Sequence, residues 1–236
     1  MGHRFSRTEM IIGSEGLDIL ATSTVAIFGI GGVGGYAAEA LARSGIGTLV
    51  LVDHDQVSVS NINRQIIALE TTIGLPKVEV MAQRISQINP SCKVIPRQEF
   101  YDSSKAHRLL LNTYDYVVDA IDSVGPKVDL IYRCVQENIA IISAMGAGNK
   151  LDPTQFTVSD ISKTHTCPLA RTVRTALRKR GIEKGVKVVF SAESPIRRSK
   201  TVVPGSTAFV PPTAGLIMAS VVVQDILARR APNEPI

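Results

Sequence analysis

The stretch Val25-Ala-Ile-Phe-Gly29-Ile-Gly31-Gly32-Val-Gly34, followed by Leu49-Val-Leu-Val-Asp53, decides how this chain is read. A β-branched apolar run ends in glycines spaced G-x-G-x-x-G, and a helical pattern begins at once. Such glycines let the backbone turn tightly and approach a phosphate, while the helix start offers N–H groups at the positive end of its dipole. Asp53 closes the next apolar run, where a carboxylate can hold ribose hydroxyls. Gly29, Gly31, Gly32, Gly34 and Asp53 therefore mark a nucleotide site.

The alternation extends outward from these two strands. Residues 7–20 read as an amphipathic helix with Met10, Ile11, Leu17 and Leu20 on one face. Strand 24–30, helix 33–44 and strand 48–53 are followed by an irregular polar stretch. Helix 77–89, strand 93–97, helix 104–111, strand 114–121, helix 126–138 and strand 139–143 complete the first half. Repeated βα units of this kind predict an α/β fold, a doubly wound Rossmann-like sheet, mainly parallel, with helices on both faces. Beyond Gly146-Ala-Gly148 the rhythm changes to strand 154–158, helix 168–180, strand 186–191, a second strand around 207–210 and a closing apolar helix 213–230. The expected organisation is one domain over residues 1–236, with a nucleotide-binding half (7–150), a basic crossover segment (151–212) that extends the sheet antiparallel, and the closing helix.

Composition narrows the class. The 236 residues are 44% hydrophobic and 20% charged, ordinary for a globular domain. The longest apolar run, Ala214 to Val223, is short for a membrane span, and the N-terminus shows no signal-peptide core, which predicts a cytoplasmic protein with no membrane partner. Cys92, Cys134 and Cys167 lie far apart with no C-x-x-C pair, so neither a disulfide framework nor a zinc site is expected. The net charge of +5 is uneven, because residues 161–200 hold eleven Lys and Arg against two Glu, leaving −4 for the rest. A concentrated basic segment suggests a polyanion partner, a solvated loop being the plainer reading.

With Asp53 the glycine fingerprint fits a dinucleotide such as NAD, but three features favour a triphosphate. Asn61-Ile-Asn-Arg64-Gln65 follows the second strand, Lys77 opens the next helix, and Val117-Val-Asp119-Ala-Ile-Asp122 brings two carboxylates to the same sheet edge. A triphosphate carries about four charges and calls for Arg, Lys and a carboxylate-held metal ion, which backbone N–H groups alone do not supply. Each residue also has a plainer role: Arg64 pairing with Asp55 at the surface, Lys77 as a solvated first-turn lysine, Asp122 as a helix cap. A dehydrogenase would further need a catalytic His or Tyr, and His3, His54, His107 and His165 have no convincing setting.

On these motifs the chain resembles the ThiF/MoeB/HesA superfamily, relatives of ubiquitin-activating enzymes that adenylate carboxylates. The resemblance spans residues 4–230 and includes Arg4-Phe-Ser-Arg7, the glycine turn, Asp53, N-x-N-R-Q, Lys77 and D-A-I-D-S. It implies ATP and Mg²⁺ as cofactors, with Asp53 and Asp55 in the nucleotide set and Asp53 on the ribose. It places Arg64 and Lys77 on the phosphates, Asn61 and Gln65 in support of the loop, and Asp122 on Mg²⁺. It also implies a homodimer in which Arg7 reaches the partner's site, so that Arg7, Arg64, Lys77 and Asp122 form the catalytic set.

Sulfur-carrier-activating members commonly bind zinc through two C-x-x-C pairs, which this chain lacks. Its Asp152-Pro-Thr-Gln155, Asp160-Ile-Ser-Lys163, Pro168-Leu-Ala-Arg171, Val189-Phe-Ser-Ala-Glu193-Ser-Pro195 and Pro204-Gly-Ser206 resemble the tRNA threonylcarbamoyladenosine dehydratase branch. That resemblance implies adenylation of the modified nucleoside's carboxylate, then ring closure. It makes Lys163, Arg171, Arg174, Arg178, Arg197, Arg198 and Lys200 candidates for tRNA phosphate contacts, with Phe190 and Phe209 the nearby aromatics. A cysteine desulfurase or sulfur-acceptor system is a conceivable partner, Cys167 a less favoured acyl acceptor, and adenylation of a ubiquitin-like sulfur carrier protein the alternative function.

Overall fold

The computed structural model describes residues 2–196 and 204–230. Its seven strands are β1 (Thr24–Phe28), β2 (Thr48–Val52), β3 (Lys93–Arg97), β4 (Tyr116–Asp119), β5 (Ile141–Ala144), β6 (Phe156–Asp160) and β7 (Lys187–Ser191). They form one sheet in the order β3-β2-β1-β4-β5-β7-β6. All neighbours are parallel except β6, which pairs antiparallel with β7 at the edge. The order reverses direction between β1 and β4, and ligands of doubly wound sheets bind in the crevice opened at such a point.

Strand residues alternate between two buried layers, as a period of two requires. Val25, Ile27, Leu49, Leu51 and Val118 face one layer. It is covered by α1 (Ser6–Ala21), α2 (Gly34–Ser44), α3 (Lys77–Ile88) and α7 (Val210–Arg230). Ala26, Phe28, Val50, Val117 and Val188 face the other. There α4 (Ala106–Leu109), α5 (Val124–Gln136) and α6 (Pro168–Arg178) pack. Between α2 and α3, the buried Glu39 carboxylate accepts from Arg43 at 2.8 Å and Arg84 at 2.6 Å. Burial pushes this carboxyl's pKa up, but the two guanidinium partners outweigh that and hold it below the usual range.

The expected doubly wound fold is present, with three departures. Helix α1 breaks at Gly13, whose φ of 71° and ψ of 172° are not helical. The turn rotates the first segment away, so Met10 and Ile11 are 83% and 80% exposed and do not share a buried face with Leu20. Residues 207–209 are not a strand; β-branched Thr207 and Val210 suggested one, but Pro211 and Pro212 stand in the first turn of α7, where a missing N–H costs nothing. Helix α7 itself is longer than the apolar run inside it. Val210–Arg229 is long and apolar enough to cross a membrane by composition, but Val210, Ala214, Met218, Val222 and Ile226 are buried in the core.

At the end of β4, Asp119 is wholly buried with its partners in place. Its Oδ2 accepts from Lys127 Nζ at 2.7 Å and from Ser143 Oγ at 2.6 Å, and its Oδ1 accepts from Ile121 N at 3.0 Å. Lys127 is equally buried. Removing one charge of such a pair strands the other in the core, at a cost of about 3–5 kcal/mol, whereas replacing both by apolar groups is often neutral. Lys127→Met is therefore expected to lower the unfolding free energy by about that amount in urea titration, and Lys127→Met with Asp119→Leu to recover much of it.

Candidate nucleotide-binding site

A cavity of about 670 Å³ opens at the reversal between β1 and β4. One end of its wall comes from the glycine turn after β1, the loop after β2 and Asn61, Arg64, Gln65 and Lys77. The far end comes from residues 144–150, the start of α6, Pro195 and residues 204–206.

The glycine spacing follows from close approach. Gly29 has a φ of +91°, and a Cβ there would stand 2.7 Å from the Ala120 carbonyl oxygen. A Cβ on Gly34 would stand 1.8 Å from the Gly29 oxygen, inside covalent overlap. Gly31 is different: its nearest neighbour would be Gln65 Nε2 at 3.7 Å, so its missing side chain leaves open space at the start of α2. That space lies where a helix N-terminus favours an anion.

The acidic residues are held by local hydrogen bonds. Asp53 Oδ2 accepts from Ile30 N at 2.6 Å and its Oδ1 from Asp55 N at 2.9 Å, so one carboxylate ties the glycine turn to the loop after β2. Asp55 Oδ2 accepts from Lys77 Nζ at 2.7 Å. Lys77 is 5% exposed, not the solvated first-turn residue that sequence allows. Arg64 does not pair with Asp55; its Nη1 donates to Ser60 O at 2.8 Å and Asn63 Oδ1 at 2.9 Å, leaving other guanidinium N–H groups toward the cavity. Buried Asn61 accepts from Ser58 N and so braces this loop. Asp122 is exposed and accepts only from Ser123 Oγ at 3.2 Å among the described residues; it does not cap α5, whose N-cap is Ser123. Two buried polar atoms on the wall, Gln65 Oε1 and Ser206 Oγ, have no hydrogen-bond partner among the described residues. Such atoms are costly unless a ligand satisfies them.

The remaining sequence-derived residues divide. Arg7 is exposed on α1 and is not part of this cavity wall. Lys163, Arg171 and Arg178 are exposed on or beside α6. Arg174 is half-buried, its Nη1 donating to Thr164 O at 2.8 Å and to Thr164 Oγ1. Phe190 is 2% exposed and cannot stack on a surface base, whereas Phe209 is 46% exposed. Arg197, Arg198 and Lys200 lie outside the described residues. All three cysteines are unpaired and buried, and burial pushes the Cys92 thiol up to about 11. Sequence reading missed Phe100 and Tyr101 on the nucleotide side and Lys150 on the far side, and quoted Ser206 without giving it a role. The first three belong to no spaced motif; only the folded chain brings them to the wall.

The ThiF family model matches residues 5–234. The chain belongs to the ThiF family. Within it, the chain is 50% identical to tRNA threonylcarbamoyladenosine dehydratase of Bacillus subtilis (strain 168), covering 96% of each protein. The dehydratase of Escherichia coli (strain K12) is 45% identical over 81% of this chain and 74% of its own length. The crystal structure of the E. coli enzyme, TcdA, in complex with ATP superposes with a TM-score of 0.93 at 40% identity, covering 98% of this chain and 96% of that one. ThiF-family membership makes the triphosphate reading, rather than the dinucleotide one, the reading of this cavity.

The glycine geometry separates two roles that look alike in sequence. Gly31→Ala is expected to change unfolding stability by less than about 0.5 kcal/mol yet weaken ATP roughly tenfold, since the methyl enters open space at the helix start. Gly34→Ala is expected to damage both. Thermal unfolding and ATP titration of the two variants check this.

Proposed function

We propose that this chain uses ATP to activate the free carboxylate of threonylcarbamoyladenosine in tRNA and closes the activated group into a ring. The observation that carries the reading is a single cavity with a phosphate-binding end and a far end walled by the basic crossover segment. Full-length similarity to the B. subtilis dehydratase supports the same substrate. Activation of a sulfur carrier protein is disfavoured by the missing C-x-x-C pairs.

In the first step a substrate carboxylate oxygen bonds to the α-phosphorus as the bond to the β-phosphate bridge breaks, and pyrophosphate leaves. In the second, the neighbouring carbamoyl group closes on the activated carbonyl carbon, AMP leaves, and a carbamoyl proton passes to solvent; the nucleoside has lost one water. The ring-closing nucleophile is intramolecular, so proximity supplies much of the rate and no step needs Cys167. The protein's own work is electrostatic. Asp53 would hold the ribose, its carboxylate oxygens keeping spare lone pairs beyond the two backbone bonds. Arg64, Lys77 and the helix start would hold the phosphates, with Asp55 keeping Lys77 in place. The exposed Asp122 carboxylate suits Mg²⁺, a hard cation that takes carboxylate oxygens and neutralises phosphate charge. Since Arg7 is absent from this chain's own cavity wall, we assign it to the site of the second subunit in a homodimer.

Nucleoside mass spectrometry of threonylcarbamoylated tRNA incubated with the protein and ATP is expected to show loss of one water; an unchanged nucleoside mass overturns the reading. In the same assay Arg7→Ala and Asp122→Ala proteins are each expected to be inactive and, when mixed, to recover activity. Lys163, Arg171 and Arg178, changed singly to Glu, are expected to weaken tRNA binding and lower the slope of log affinity against log salt by about one per contact, with ATP binding intact.

A further inference from the structure

Lys150 is 4% exposed, lies on the cavity wall and has no carboxylate within ion-pair distance among the described residues. Its Nζ donates to the Glu193 carbonyl oxygen. The Glu193 carboxylate is turned to the backbone, accepting from Leu151 N at 2.9 Å and Asp152 N at 3.0 Å. Residues 197–203, which follow nearby in the chain, contain no Asp or Glu. Burial lowers the pKa of this ammonium more than the nearby Cys167 and Glu193 side chains raise it, and a buried ammonium without a direct ion pair is expensive. That cost is offset if an anion enters the cavity beside it.

Ser206 supplies a second, independent sign of a ligand. Its hydroxyl oxygen is shielded from solvent and unpartnered, on the same far wall. The two residues are joined through their neighbours: Asn149 N donates to Gly205 O at 2.7 Å, and Gly205 N to Asn149 Oδ1 at 2.7 Å. An ammonium and a hydroxyl on one wall make a donor pair suited to a carboxylate or a phosphate oxygen.

Sheet order decides between these anions. From Asp53 after β2 to the loop after β5 is three strand spacings, about 14 Å. The glycine turn and Asp122 lie between them, so a triphosphate that begins at Asp53 has its phosphate sites before Lys150 is reached. The group that must arrive from the other side is the carboxylate to be activated. We propose that Lys150 and Ser206 bind the free carboxylate of the threonylcarbamoyl group and present it to the α-phosphate. This rests on the dehydratase reading and assigns the acceptor half of that site.

The test compares Lys150→Met, which keeps side-chain length, and Ser206→Ala with the wild-type protein. Each is titrated with ATP, with threonylcarbamoylated tRNA and with the same tRNA bearing unmodified adenosine. Wild-type protein is expected to favour the modified tRNA; Lys150→Met should reduce that preference and kcat/KM roughly 10- to 100-fold, and Ser206→Ala roughly 3- to 10-fold, with ATP affinity within about twofold. Equal weakening for both tRNAs would mean a backbone-phosphate contact, and weakened ATP a triphosphate contact; either overturns the assignment, as does a retained preference. If Lys150→Met fails to fold, Ser206→Ala decides by the same criteria. A wild-type protein that neither dehydrates nor prefers the modified tRNA overturns the dehydratase reading itself, and is distinguished from these by failing before any variant is compared.

Discussion

The site depends on one close approach. Where β1 and β4 diverge, Ala120 N still donates to Phe28 O at 2.8 Å, and the Ala120 carbonyl then lies against Gly29 with no room for a Cβ. The glycine turn and the loop carrying Asp122 are thus pressed together where the sheet order reverses between β1 and β4. The buried Asp119 carboxylate fixes the second loop from beneath, through Ile121 N, and Asp53 fixes the first through Ile30 N. Two carboxylates, one on each strand beside β1, therefore shape the turns between them before any ligand arrives. This is the condition for electrostatic preorganisation, in which dipoles need not reorient as charge develops.

The charged groups of the cavity follow a consistent logic. Lys127 has Asp119 and Glu39 has two arginines, so these buried charges away from the cavity are paired inside the protein, while Lys77 on the cavity wall is held by Asp55. Lys150 and part of the Arg64 guanidinium are exceptions, and both lie on the cavity wall. In a low-dielectric interior an unpaired cation is a debt that only an anionic ligand settles. Exposure alone does not separate the scaffold cation Lys127 from the cavity-wall cations Lys77 and Lys150, because all three are buried.

How much of this was legible in the sequence varies with the range of the interaction. The glycine spacing, Asp53, the Asn61–Gln65 run, Lys77 and Asp122 sit at strand ends in fixed order, and the fold brings most of them to one cavity because parallel strands carry their C-terminal ends to the same edge. Arg7 is the exception, exposed on α1 and not on this cavity wall. Misreadings came where local pattern and backbone disagreed. Gly13 breaks the helical period that made Met10 and Ile11 look buried, and two prolines override the β-branched residues at 207–210. Arg174 looked like one of several equivalent helix cations until Thr164, ten residues away, was found beneath it. Lys150 closes the nucleotide-binding half with no motif around it, and Ser206 belongs to Pro204-Gly-Ser206 with no role legible there; the burial of the one and the unpartnered hydroxyl of the other exist only after folding.

The far wall also suits the proposed reaction, in which the ring-closing nucleophile belongs to the substrate. Asn149, in a left-handed conformation with φ of 58°, accepts from Ile196 N through its carbonyl and pairs with Gly205 on both sides. One residue therefore ties the β5 loop to both ends of the basic loop, and Asn63 reaches across from the phosphate side to Ser206 O at 3.0 Å. The two ends of the cavity are tied by backbone hydrogen bonds and by short asparagine side chains rather than by long flexible ones. For an acyl transfer completed by an intramolecular attack, holding the carboxylate against the α-phosphate is most of what the protein must do. A wall made of short, mutually bonded loops is suited to that task.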